Sequence, residues 1–91
     1  MIVMVEYFGP ARDAAGVVRE SVECDPPCPA VELVERIARE RGGRLAALLL
    51  KDGRLSRSVL LSVGDRQIGR DEEMLLRDGD EVVVIPPVSG G

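Results

Sequence analysis

Three sets of residues in this chain could carry chemistry. One is the run Pro86-Pro87-Val88-Ser89-Gly90-Gly91, one is the pair Cys24 and Cys28, and the third is the set of acidic side chains. The first is the most unusual. It follows an apolar stretch, Val82-Val83-Val84-Ile85, and carries neither charge nor bulk. Two prolines lack the amide donors a strand needs and fix φ, so strand pairing should stop at Ile85. Glycine has no Cβ to clash, so Gly90-Gly91 can enter a narrow channel that larger residues could not. The run is expected to project as a narrow probe ending on an unhindered carboxylate at Gly91. A carboxylate is a poor electrophile until activated. Adenylation turns one oxygen into a leaving group, and a sulfur nucleophile can then replace it. The product is a thiocarboxylate, which is a sulfur donor.

The other two sets are weaker. Two cysteines without histidine cannot complete a zinc site, and the chain has no histidine at all. A disulfide across Asp25-Pro26-Pro27 is possible in principle but disfavoured in a reducing compartment. A nucleophilic thiol needs a base or a positive setting, and Asp25 works against that. Cys24 and Cys28 are therefore expected to be a strand cysteine and a loop cysteine with packing roles. The acidic run Asp71-Glu72-Glu73 reads as a solvated loop. Without histidine no Ser/His/Asp set can form, and no paired-carboxylate cleft is evident. The chain is expected to lack catalytic side chains of its own, and whether it counts as an enzyme or as a subunit of one stays open.

Composition agrees with that view. Ninety-one residues suggest one domain, and 45% hydrophobic content suggests a folded one. Tyr7 and Phe8 are the only aromatic residues, so the core must be aliphatic. A net charge of −4 argues against nucleic-acid binding through a basic surface. The start, Met1 to Glu6, lacks the features of a signal peptide, and no run reaches membrane-spanning length. A cytoplasmic location, with no membrane and no nucleic acid as partner, is the expectation. Arginine outnumbers lysine eleven to one, and Lys51 is the only lysine.

The elements that would position the tail follow from hydropathy. Ile2 to Phe8 alternates, with Val3, Val5 and Tyr7 on one face and Ile2, Met4, Glu6 and Phe8 on the other. Gly9-Pro10 breaks it, and Ala11 to Gly16 reads as a connection. Val17 to Cys24 is a second strand with Arg19, Ser21 and Glu23 wet. From Ala30 the period becomes helical, with Val31, Leu33, Val34, Ile37 and Ala38 inside. Glu32, Glu35, Arg36, Arg39 and Glu40 are expected on the polar side, with Glu32–Arg36 and Glu35–Arg39 as ion pairs. Gly42-Gly43 caps that helix. Leu45 to Leu50 suggests one or two further helical turns, and Asp52-Gly53 a turn. Ser58 to Val63 is a strand with Val59, Leu61 and Val63 buried. Arg66-Gln67-Ile68 is a short strand, Met74-Leu75-Leu76 a core plug, and Glu81 to Ile85 the last strand.

One long helix cannot serve the crossovers of an all-parallel sheet. An α+β fold is predicted: a β-grasp (ubiquitin-like) roll, a mixed sheet with one main helix packed on one face. The last strand should be central. The folded domain is taken as residues 1–85, with 86–91 as tail. Glu6 and Glu81 mark the sheet face turned away from the helix. By that parity Phe8, Leu60, Val83 and Ile85 share it, and such an apolar patch suits a partner.

At this point the chain resembles a known family, the MoaD/ThiS ubiquitin-like sulfur carriers, and within it the branch of the molybdopterin synthase small subunit. The resemblance rests on the strand ending in Phe8, on Arg12-Asp13 and Gly16, on the helix from Val31, and above all on Leu76-Arg77-Asp78-Gly79-Asp80-Glu81-Val82 through Pro86-Pro87-Val88-Ser89-Gly90-Gly91. It departs from the family at Asp13, where Glu is usual, and at Ala30, where a capping Thr is common. The resemblance implies that an E1-like enzyme uses ATP to adenylate Gly91, beside Gly90. It implies that a persulfide then supplies sulfur, and that the tail enters the large catalytic subunit to build a dithiolene. No cofactor is expected on the chain itself. The partner surface implied is Phe8, Leu60, Ile85, Pro86, Pro87, Val88, Ser89 and Arg12. Sulfur carriage for thiamine, for thiolated transfer RNA or for cysteine synthesis remains an alternative. So does a protein modifier joined through Gly91, with Lys51 its sole internal acceptor.

Overall fold

The computed structural model describes residues 1–87. Strand β1 (Ile2–Tyr7) alternates as the sequence requires, with Val3, Val5 and Tyr7 fully buried. The next stretch, expected as a plain connection, is a short helix, α1 (Pro10–Ala15). Its signals were local. Pro10 suits a first helical turn, and Gly16, at φ 80°, closes the last turn with its N–H on the Arg12 carbonyl at 2.9 Å. Strand β2 (Arg19–Glu23) starts two residues later than predicted, with Val17 and Val18 left exposed.

Helix α2 (Ala30–Arg41) buries Val31, Leu33, Val34, Ile37 and Ala38. Two expectations about its polar side fail. Glu35 is buried at 9% exposure, and its carboxylate accepts the Leu55 amide at 2.8 Å. The expected Glu32–Arg36 and Glu35–Arg39 pairs do not form. Arg36 instead lies 3.9 Å from Glu40 and donates to the Glu23 carbonyl at 3.0 Å. A helical wheel sees one helix and its solvent; this helix also has to satisfy a neighbouring loop. Gly42, at φ 62°, bonds back to the Ala38 carbonyl at 2.9 Å and bends the chain into α3 (Gly43–Leu49), which buries Leu45 and Leu49.

A small hairpin follows, β3 (Leu50–Lys51) and β4 (Arg54–Leu55). Asp52 and Gly53 both have positive φ, 54° and 80°, as a two-residue type I′ turn demands. Then come β5 (Leu60–Val63), β6 (Arg66–Ile68) and β7 (Glu81–Ile85). Of the predicted plug, Leu76 is buried but Leu75 is half exposed. Leu75 forms an isolated bridge with Pro29, and in that extended backbone its side chain points opposite to that of Leu76.

The main sheet has the order β2-β1-β7-β5-β6. Strands β1 and β7 run parallel, and the other neighbours antiparallel. Val82 and Val84 of β7 meet Val3, Val5, Tyr7, Leu61 and Val63 in a single apolar layer under α2 and α3. Each fully buried aliphatic there is worth about 1.5–3 kcal/mol over its exposed state. Tyr7 completes the layer. Its hydroxyl donates to Glu20 at 2.6 Å, and Arg41 pairs with the same carboxylate and lies over the ring. Burial, then the bond to Glu20, pushes the Tyr7 proton well above its ordinary range. The predicted fold class, mixed sheet and central last strand are all present. No helix among the described residues is long and apolar enough to cross a membrane.

Candidate functional site at the end of the central strand

The tail leaves the sheet from its middle strand. In β7, Glu81, Val83 and Ile85 face away from the helices while Val82 and Val84 face the core. Antiparallel pairing sets Leu60 opposite Ile85. On the other side Tyr7 is paired with Val84, and the Phe8 amide donates to the Val84 carbonyl at 3.0 Å. One register step on, Phe8 therefore lies beside Ile85. Phe8, Ile85 and Leu60 form one row across three strands on the uncovered face. Phe8 and Leu60 are each 42% exposed, and Ile85 between them is half-buried.

Behind this apolar row the face turns polar. The next row is Arg19, Glu6, Val83 and Ser62, read from the paired positions. Arg19 also bonds Glu81 at 3.1 Å. The row of three apolar residues thus lies at the end of the sheet from which Pro86 departs, with Ile2 exposed at the other end of the same face. Pro86 is itself buried and Pro87 half-buried. The root of the tail is packed into the domain edge rather than hanging from it.

The predicted partner residues converge. Arg12 belongs to α1, which starts just past Phe8 at the same end. It is exposed, with its Nε 3.5 Å from the Tyr7 carbonyl. The structure brings Phe8, Leu60, Ile85, Arg12, Pro86 and Pro87 to one end of one sheet. Val88, Ser89, Gly90 and Gly91 lie outside the described residues. Three cations at this end, Arg54, Arg57 and Arg70, escaped the reading of the sequence. Their signal was segregation of charge, since positions 51–70 hold five Lys/Arg against two Asp/Glu in an acidic chain.

The cysteines lie elsewhere. Cys24 bonds Met1 through both backbone groups, at the opposite end of β1. Both thiols are free and buried. Burial, then the hydrogen bond with Cys24, pushes the Cys28 thiol up to about 11. A proton held that tightly removes the thiolate a nucleophile needs.

Fold and strand end together define a ubiquitin-like β-grasp protein with an apolar row at one end of its sheet. The chain belongs to the ThiS family, whose model matches residues 5–91. It is 33% identical over 90 residues to the molybdopterin synthase sulfur carrier subunit of Escherichia coli (strain K12), covering 99% of this chain and 100% of that one. In structure it is similar to small archaeal modifier protein 1 from Methanosarcina acetivorans, with a TM-score of 0.79 and 25% identity over 99% of this chain and 96% of that one. It also shares its fold with a chain in the complex of subunits 1 and 2 of the molybdopterin-converting factor from Helicobacter pylori. There the TM-score is 0.63 and the identity 24%, with 100% of both chains covered.

Proposed function

We propose that this chain is the sulfur carrier of a molybdopterin synthase, with the Gly91 carboxyl as its reactive group. In the first step a carboxylate oxygen attacks the α-phosphate of ATP on an E1-like enzyme, and pyrophosphate leaves. A persulfide sulfur then attacks the acyl carbon, and AMP departs with the oxygen. Cleavage of the resulting S–S bond by a thiol leaves the thiocarboxylate. Docked in the large subunit, that sulfur is passed to a pterin precursor, and the chain returns as carboxylate. The carrier supplies no acid or base. Its contribution is placement, fixing the reacting group relative to partners that hold the catalytic side chains.

The observation that carries this reading is the row Phe8–Ile85–Leu60, centred on the strand that runs directly into Pro86-Pro87. A partner that covers the row receives the tail in a fixed direction. The sulfur-carrier name of the 33% identical relative supports the same assignment, and a cytoplasmic setting with these soluble partners goes with it. Incubation with ATP, an E1-like enzyme and a persulfide donor should raise the intact mass by the difference between a sulfur and an oxygen atom. No rise, with an E1 shown to be active on a control carrier, would count against the proposal.

A second reading has one observation in its favour, the structural likeness to a small archaeal modifier protein. In that case Gly91 forms isopeptide bonds with lysine side chains. Mass spectrometry of the native proteome separates the two, because only the modifier leaves Gly91 remnants on other proteins.

A further inference from the structure

The same end of the sheet carries a second feature, beside Leu60 and toward the helices. Strand β5 runs antiparallel to β7, so the residues before Leu60 lead on in the direction the tail takes. Strand β6 runs antiparallel to β5, with Ile68 opposite Leu61, so Gly69 and Arg70 leave the sheet the same way. These two segments and the β3–β4 hairpin enclose a shallow concavity of about 500 Å³, lined by Lys51, Asp52, Arg54, Ser56, Arg57, Ser58 and Arg70. Four cations and two hydroxyls face one carboxylate there. Segment 51–70 carries a net +3 in a chain whose total is −4.

One acidic side chain holds the arginines in place. Asp71 lies 3.2 Å from Arg57, 3.7 Å from Arg70 and 3.8 Å from Arg54. The bond to Arg57 and the three positive charges hold its carboxyl below the usual range. One carboxylate cannot neutralise three guanidinium groups. Arg70 is fixed further by donating to the Leu55 carbonyl at 3.3 Å, and its Nε is buried without a hydrogen-bond partner among the described residues. Arg54 and Arg57 keep more than half of their side chains in water, at 58% and 70% exposure. The groove is therefore a held set of donors whose four cations outnumber Asp52 and Asp71, at the end of the sheet from which Pro86 departs.

We propose that this cationic groove is the second half of the docking face, and that it takes an acidic segment on the protein that accepts the tail. The proposal rests on the sulfur-carrier reading, in which that protein is the large synthase subunit. Apolar centre and polar rim are the usual anatomy of a protein interface, and arginine is enriched in interfaces. The groove is too open to hold a small anion against water, whereas a segment already anchored on Phe8, Ile85 and Leu60 presents its carboxylates at high local concentration. Charge of this kind acts chiefly on the rate of encounter.

The test is binding of the full chain to the large subunit encoded in the same genome, followed by stopped flow over a range of salt. Arg54→Gln with Arg57→Gln should slow association about tenfold at low salt, with the deficit fading as salt rises. Asp71→Asn should move it the other way, because it frees three cations. Equal rates for all three proteins, or a loss that ignores salt, would overturn the proposal. So would transfer RNA retained by the wild type and lost by the arginine variants while their binding to the subunit stays unchanged. The mass shift described above keeps the two ideas separate. If it occurs while the arginine variants associate with the large subunit as fast as the wild type, only the groove proposal falls; if it does not occur, the carrier reading falls first.

Discussion

The two faces of the central sheet use the same strands to opposite ends. On β5, Leu61 points under α2 and α3 and is 1% exposed, while Leu60, its neighbour in sequence, points outward and is 42% exposed. On β7, Val84 is fully buried while Ile85 is half-buried on the open face. One face is finished by the chain itself. The other is left uncovered, and its row of Phe8, Ile85 and Leu60 lies at the end from which Pro86 departs. The lesson is that a single residue step separates a core residue from one left on the open face. Hydrophobicity alone would rank all four alike.

The largest effect that could break this contrast is on folding. Leu61→Ala should cost about 2–5 kcal/mol by urea unfolding, whereas Leu60→Ala should stay within about 0.5 kcal/mol. For capture of the large subunit the contrast should reverse. Leu60→Ala and Phe8→Ala should weaken binding about ten- to a hundredfold, and refolded Leu61→Ala should bind normally. Equal stability losses at positions 60 and 61 would show that the open face is not open.

Glu35 sharpens the picture on the closed side. Glu35→Ala leaves the buried Leu55 amide without its acceptor and should cost about 1–3 kcal/mol. Glu35→Gln keeps a side-chain oxygen and should cost less, which thermal unfolding of the pair would check.

A smaller effect is pH-dependent. The Cys28 proton is held up to about 11 in the folded chain, above the ordinary thiol value of 9.0. The folded state therefore binds more protons across that window, and stability should decline as pH rises through it. Cys28→Ser should flatten the decline. Alkylation at neutral pH should be slow until denaturant is added; rapid labelling of the native protein would contradict this. The smallest effect belongs to the exposed Arg19–Glu81 pair. Arg19→Ala should shift stability by about 0–1 kcal/mol and lose even that in salt.

Much of this was legible in the chain. Period-two alternation gave strand and facing for Ile2–Tyr7 and Leu60–Val63, because only one face is covered and the pattern must follow it; the strand predicted from Ser58 begins two residues later, after a turn. The central place of β7 followed from an unbroken apolar run. The row Phe8–Ile85–Leu60 was reachable by parity alone. What stayed hidden depended on contacts distant in sequence. Glu35 looked like a surface residue because its partner, the Leu55 amide, lies 20 positions away. Leu75 looked like core because its orientation is set by a bridge to Pro29. The cationic groove is assembled from three separated segments, and the acidic run that follows it masked its charge.

The buried Pro86 has a further consequence. With the chain held by the domain as far as Pro87, four residues separate that point from the Gly91 carboxyl. Four residues can span roughly 14 Å when fully extended. That length is a ruler. On the proposed function, an enzyme that loads sulfur onto Gly91 or removes it would hold its reaction centre within that distance of the surface that receives Phe8, Ile85 and Leu60.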